Sequence, residues 1–244
     1  MNWLNDLLTN KDGVLEWWAV LIAVLIVIIV AAGVVAVVVL IMNAARKKSD
    51  AQGLTKRSWT ARQLVFGALC IAVAFALSFL KFFEMPFGGS ITPASMLPIM
   101  MFAYIYGTPK GLIVGLGYGL LQMLQGIFIT PLESPVLQII QIIMDYGVAF
   151  MALALAGLFR KNFLLGVLAG GLGRLAVATI SGMLFFAMYA EGQSVFVYSF
   201  VYNLTYLGPD IAICFVVALI PGIRKAIDSF KAQRYTAKAS AQKS

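Results

Sequence analysis

The stretch FLLGVLAGGLGRLAVATISGMLFFAMY, residues 163–189, decides the fold. It is apolar throughout except for a few hydroxyls and one charge, Arg174, and it exceeds the about 20 residues that a helix needs to cross the hydrocarbon of a bilayer. A charge near the middle of a span costs about 2.5–3.5 kcal/mol, so Arg174 must face a cavity or an opposite charge.

Similar apolar stretches recur at 15–43, 63–83, 91–107, 111–130, 135–159 and 195–222, which makes seven candidate membrane helices. With 61% apolar and 11% charged residues in 244, the chain has no room for a large soluble domain beside them. The expected organisation is an amino-terminal segment with one span (1–45), a basic linker (46–62), a six-helix membrane domain (63–223) and a basic tail (224–244). The leader MNWLNDLLTNKDGVLE is net acidic and its apolar stretch exceeds a signal core, so the first span is expected to stay as an anchor or packing helix.

Fifteen of the eighteen basic residues lie between the first and second spans, after the last, or in the loops marked by Lys110 and by Arg160 with Lys161. The positive-inside rule assigns these to the cytoplasm, with the amino terminus outside and the carboxy terminus inside. The opposite loops carry Asp6, Asp12, Glu16, Glu84, Glu133 and Glu191. The basic residues therefore follow membrane topology and do not point to nucleic acid. The tail from Arg224 reads as a solvated end near anionic headgroups.

Histidine is absent, which excludes Ser-His-Asp and Cys-His catalysis and zinc or haem sites built on His. Cys70 and Cys214 stand alone in apolar runs and read as packing residues. No nucleophile stands with a base, no metal cluster appears, and the chain contains no G-x-x-x-x-G-K-[ST]. An enzyme is not expected, no cofactor or metal is implied, and energy from ATP must come through a partner.

Besides Arg174, Asp145 and Asp210 fall near the middle of spans. Gln138, Gln141 and Asp145 share one helix face at i, i+3 and i+7, with Tyr146 beside them. Arg174, Ala178, Gly182 and Phe186 form a strip that is charged at one end, small in the middle and aromatic outward. Its small residues make either ligand space or close helix contact. Ser199, Asn203, Tyr206 and Asp210 form a third face, with Tyr198 and Tyr202 adjacent. A pocket where these faces met would suit a small, flat, cationic or heteroaromatic molecule.

Gly107, Gly111, Gly115 and Gly119 predict close packing of the fourth span on a neighbour. Ala68, Ala72 and Ala76 form a second small-residue ridge that would meet either an internal helix or a separate protein. The loop FFEMPFGGS at 82–90, with Pro86, Gly88 and Gly89, suits a mobile lid.

Four motifs, in order, resemble the substrate-binding S component of energy-coupling factor (ECF) vitamin transporters, in its thiamine-binding branch. They are MPFGGSITPASMLPIMMFAYIYG (85–107), MDYGVAFMALALAGLFR (144–160), GRLAVATISGMLFF (173–186) and YSFVYN (198–203), within a match over about 60–225. The resemblance implies an all-α integral membrane protein, a six-helix S-component bundle preceded here by one extra amino-terminal helix. It implies thiamine or a related molecule as ligand, a pocket beneath the loop between the bundle's first two helices, and docking through Ala68, Ala72 and Ala76 to a membrane scaffold bearing two ATPases. By position, Asp145 matches the carboxylate on the aminopyrimidine, where the family more often has Glu. Tyr146, Tyr198 and Asn203 match ligand-contacting positions, and Arg174 a basic one. Ala178 stands where thiamine binders typically have His, and Phe186 where some have Trp. The alternative is a self-sufficient proton-coupled carrier with Asp145, Arg174 and Asp210 as its relay.

Overall fold

The computed structural model describes residues 59–132 and 134–241, so the expected first span and most of the basic linker lie outside the described residues. Helix α1 (Ala61–Ser78) starts at a capping box in which Gln63 N–H donates to Thr60 Oγ1 and Thr60 N–H donates to Gln63 Oε1. It buries Gly67, Cys70, Ala74 and Ser78 along one face. Strands β1 (Phe83–Glu84) and β2 (Ser90–Ile91) then pair antiparallel, Phe83 opposite Ile91, as a short hairpin.

Helix α2 (Leu97–Tyr106) has 10 residues and α3 (Thr108–Gln122) has 15. At 1.5 Å per residue neither alone spans a bilayer of about 30 Å. The expected spans at 91–107 and 111–130 are shortened accordingly, for local reasons. Thr92 bonds both Ser95 and Asp210 outside any helix, and Pro98 sits in the first turn of α2. Between the two helices stands Gly107 at φ +96°, a conformation that glycine adopts without strain. Gly107 is thus the break between the two helices and not part of the packing ridge. The other three ridge glycines do pack. A Cβ at Gly119 would lie 1.8 Å from the Tyr146 carbonyl oxygen, one at Gly115 2.6 Å from that of Phe150, and one at Gly111 2.6 Å from the Ala103 Cβ.

Helix α4 (Pro135–Leu158) widens to a π-turn over Ile143–Val148 and tightens to 3₁₀ geometry over Ala152–Leu158. Helix α5 (Phe163–Phe185) is capped by Asn162, whose Oδ1 accepts from Leu164 and Leu165 N–H. Helix α6 (Val195–Leu219) contains Pro209. Among the described residues four helices, α1, α4, α5 and α6, are long and apolar enough to cross a membrane. The short α2 is buried on nearly all sides and forms the centre of the main core with Phe150, Leu153, Leu207 and Cys214.

The tail also departs from expectation, because Pro221–Ala241 is a helix, α7. Ile227 is buried, Phe230 packs on Phe66 with ring centroids 4.8 Å apart, and Lys231 bonds the Tyr104 hydroxyl and the Arg160 carbonyl. Ile223, Ile227 and Phe230 recur at helical spacing, and that apolar stripe is what seats the first half of α7 on the bundle.

Candidate ligand cavity

A cavity of about 470 Å³ lies between the hairpin, the end of α3, the π-turn of α4, the carboxy-terminal half of α5 and the amino-terminal part of α6. Asp145, Tyr146, Arg174, Gly182, Phe186, Tyr198 and Asn203 all line it, and Pro86, Gly88 and Gly89 of the hairpin cover it. The polar faces of α5 and α6 therefore meet here in full, and that of α4 only through Asp145, with Tyr146 beside it.

The π-turn matters here. One extra residue per turn brings consecutive side chains toward the same side of the helix, and Asp145 and Tyr146 both reach the cavity. The Tyr146 hydroxyl donates to the Gly126 carbonyl (3.2 Å) and accepts from Phe128 N–H (3.4 Å), so it also fixes the segment before α4. Gln138 and Gln141 do not line the cavity. Gln138 donates to the Leu132 carbonyl, and the fully buried Gln141 bonds Thr130 N–H and the Phe128 carbonyl. Both amides hold backbone that has no helical partner of its own, which is the obligatory need of a buried connecting segment.

Arg174 lies 4.0 Å from the centroid of the Phe150 ring, and its field reaches both Asp145 and Asp210 without a close ion pair to either. Of the two environments open to it, Arg174 therefore takes the cavity, where the Phe150 ring gives it a cation–π contact. Asp210 is buried and accepts from Thr92 N–H (3.4 Å) and Thr92 Oγ1 (3.0 Å), which ties the foot of the hairpin to α6.

On α6, Ser199 Oγ donates to the Thr179 carbonyl at 2.6 Å, Asn203 Nδ2 donates to the carbonyls of Ala178 and Ser199, and the Tyr206 hydroxyl donates to Asn203 Oδ1 at 2.9 Å. Gly182 lines the cavity and also permits close helix contact, since a Cβ there would stand 2.1 Å from Ser199 Oγ. Beside the hairpin stands a ring of aromatic groups that only the fold assembles, and three of them, Phe87, Phe128 and Phe186, line the cavity. Phe87 stacks on Tyr189 at 4.2 Å, Phe128 stands 5.7 Å from Phe87 and 5.9 Å from Phe186, and Phe186 is 6.2 Å from Tyr189. Sequence reasoning singled out Phe186 alone of these four; the loop quoted at 82–90 contains Phe87, but Phe128 and Tyr189 carry no local signal.

Residues 64–228 match the thiamine transporter protein family (Thia_YuaJ). The chain belongs to that family. It is a family of transporters and not of enzymes, and the chain is a multi-pass membrane protein. It is similar to the thiamine transporter ThiT of Bacillus subtilis, 33% identical over 174 residues that cover 64% of this chain and 87% of that one. A solved structure of ThiT from Listeria monocytogenes shares the fold, with a TM-score of 0.56 and 24% identity over 69% of this chain and 96% of that one.

Proposed function

We propose that this protein is the substrate-binding S component of an ATP-driven ECF importer in a bacterial cell membrane, and that it captures thiamine or a thiamine precursor in the cavity under the hairpin. The observation that carries the reading is the convergence of Asp145, Arg174 and the aromatic wall on one cavity, in a chain of the thiamine transporter family. Asp145 accepts from the amino group of the aminopyrimidine. Tyr146, Tyr198 and Phe186 pack on the two rings, and Arg174 and Asn203 fix the polar ends. Phe186, with Phe128 beside it, presents a π-face to the thiazolium cation. Ala178 offers no side-chain hydrogen bond there, so the pyrimidine end supplies most of the selectivity.

The six helices from α1 to α6 form the S-component bundle in this reading, with the carboxy terminus cytoplasmic and the extra amino-terminal span preceding it. Ala68, Ala72 and Ala76 are exposed on α1 and supply the smooth face on which a membrane scaffold with its two ATPases docks. Transport then depends on those partners.

Losing a buried hydrogen bond to a charged group costs about 1.5–3 kcal/mol. Asp145→Ala is therefore expected to weaken thiamine binding at least about tenfold in a titration of the detergent-purified protein. An unaltered affinity would remove Asp145 from the site. Uptake by the chain alone in liposomes under a pH gradient would reject the S-component reading in favour of a proton-coupled carrier.

A further inference from the structure

The hairpin satisfies most of its own backbone. Phe82 N–H donates to the Ile91 carbonyl, Met85 N–H to that of Gly89, and Gly88 N–H to that of Met85. Two groups at the tip, the Phe87 N–H and the Gly88 carbonyl, find no partner inside the hairpin, and one atom takes both. The Tyr202 hydroxyl accepts from Phe87 N–H at 2.9 Å and donates to the Gly88 carbonyl at 3.1 Å. One turn further along α6 the Tyr206 ring lies under Gly89, where a Cβ would come within 2.7 Å of it. After one more turn Asp210 holds Thr92, just past β2. Residues four apart lie on one face of a helix, so Tyr202, Tyr206 and Asp210 form a rail along which the whole hairpin is fastened.

We propose that Tyr202 is the latch of this lid, a positioning residue whose hydroxyl sets how often the tip lifts, while the Asp210–Thr92 bonds anchor the foot. The tip is bonded through its backbone, so the latch holds whichever way the Phe87 ring turns. Lifting the tip must break both hydrogen bonds of Tyr202 and the stack of Phe87 on Tyr189. Asp210 bonds Thr92 beyond the glycines of the tip, and Gly89, at φ +93°, is the glycine that lies between the two fastenings. The kinetic part of this inference rests on the cavity being the thiamine site; the ligand-free part does not.

The test uses Tyr202→Phe in the full chain, which keeps the ring and removes only the hydroxyl. Without ligand, amide hydrogen exchange over residues 85–90 is expected to rise about tenfold, within what two net hydrogen bonds supply. With thiamine, both association and dissociation are expected to quicken, since a freed lid admits and releases ligand more often. Damage to the site alone would speed release without speeding entry, and that pattern would overturn the latch. Tyr206→Phe is the control, because its hydroxyl bonds Asn203 and not the hairpin. Exchange at the tip unchanged in Tyr202→Phe, or raised equally in Tyr206→Phe, overturns the proposal. Faster exchange in Tyr202→Phe alone, in a chain that binds no thiamine, supports the latch and counts against the vitamin reading only.

Discussion

Helices α1 and α6 are both apolar enough to cross a bilayer, but they use their faces in opposite ways. α1 buries four small residues and turns Val65, Ala68, Leu69, Ala72 and Val73 outward. α6 buries Ser199, Asn203, Tyr206 and Asp210, each hydrogen-bonded, and turns Phe196, Val201 and Val216 outward. In lipid, helices gain little from hydrophobicity when they associate, so a protein partner needs a smooth face and a polar ligand needs oriented donors and acceptors. In the proposed reading the contrast separates two jobs, one helix for docking and one for the cavity and its lid.

The strongest way to break that contrast is the same substitution on two faces of α1. Ala72→Trp on the exposed face should abolish co-purification with the scaffold and vitamin uptake, while thiamine titration of the isolated variant stays near the parent. Ala74→Trp, on a fully buried position two residues on, should instead prevent stable folding, seen as loss of the monodisperse detergent peak. Binding lost together with assembly in Ala72→Trp would place the ridge inside the bundle.

A bulky residue at Gly182 attacks the α5–α6 seam. Gly182→Val should lower thermal stability by about 1–3 kcal/mol of overpacking and weaken binding with it, and an unchanged melting temperature would show that the two helices are not held together there. Asn203→Ala leaves the buried Tyr206 hydroxyl without its acceptor, a cost of about 1–3 kcal/mol. It should reduce both stability and affinity without touching scaffold assembly. The smallest effect is expected from Phe186→Trp, a stronger π-face for a cation, which should tighten thiamine binding by roughly twofold to fivefold. Equal tightening toward the isolated pyrimidine half would argue that Phe186 does not face the thiazolium.

The parts of this arrangement that could be read in the sequence are those whose chemistry is out of place in lipid. Asp145, Arg174, Asn203 and Asp210 announce themselves as polar groups inside apolar runs, and the Gly111–Gly115–Gly119 spacing announces a tight helix seam. Other parts are hidden for physical reasons. Hydropathy does not distinguish a helix buried in protein, such as α2, from one facing lipid, so two expected spans were too long. Gln138 and Gln141 share a face with Asp145, but the unpaired backbone of 128–132 claims their amides, a demand set by tertiary structure. Phe87, Phe128 and Tyr189 come from separate connecting segments and meet only when the chain is folded. The stripe Ile223, Ile227 and Phe230 was legible, but the basic residues around it suggested a solvated tail.

Calorimetric titration of the intact, detergent-purified protein with thiamine, its pyrimidine and thiazole halves, and riboflavin bears most directly on the proposed ligand. Saturable one-to-one binding of thiamine, weaker binding of the pyrimidine half and none of riboflavin is the predicted result. Riboflavin bound in preference to thiamine, or no thiamine binding at all, would contradict the assignment of this cavity.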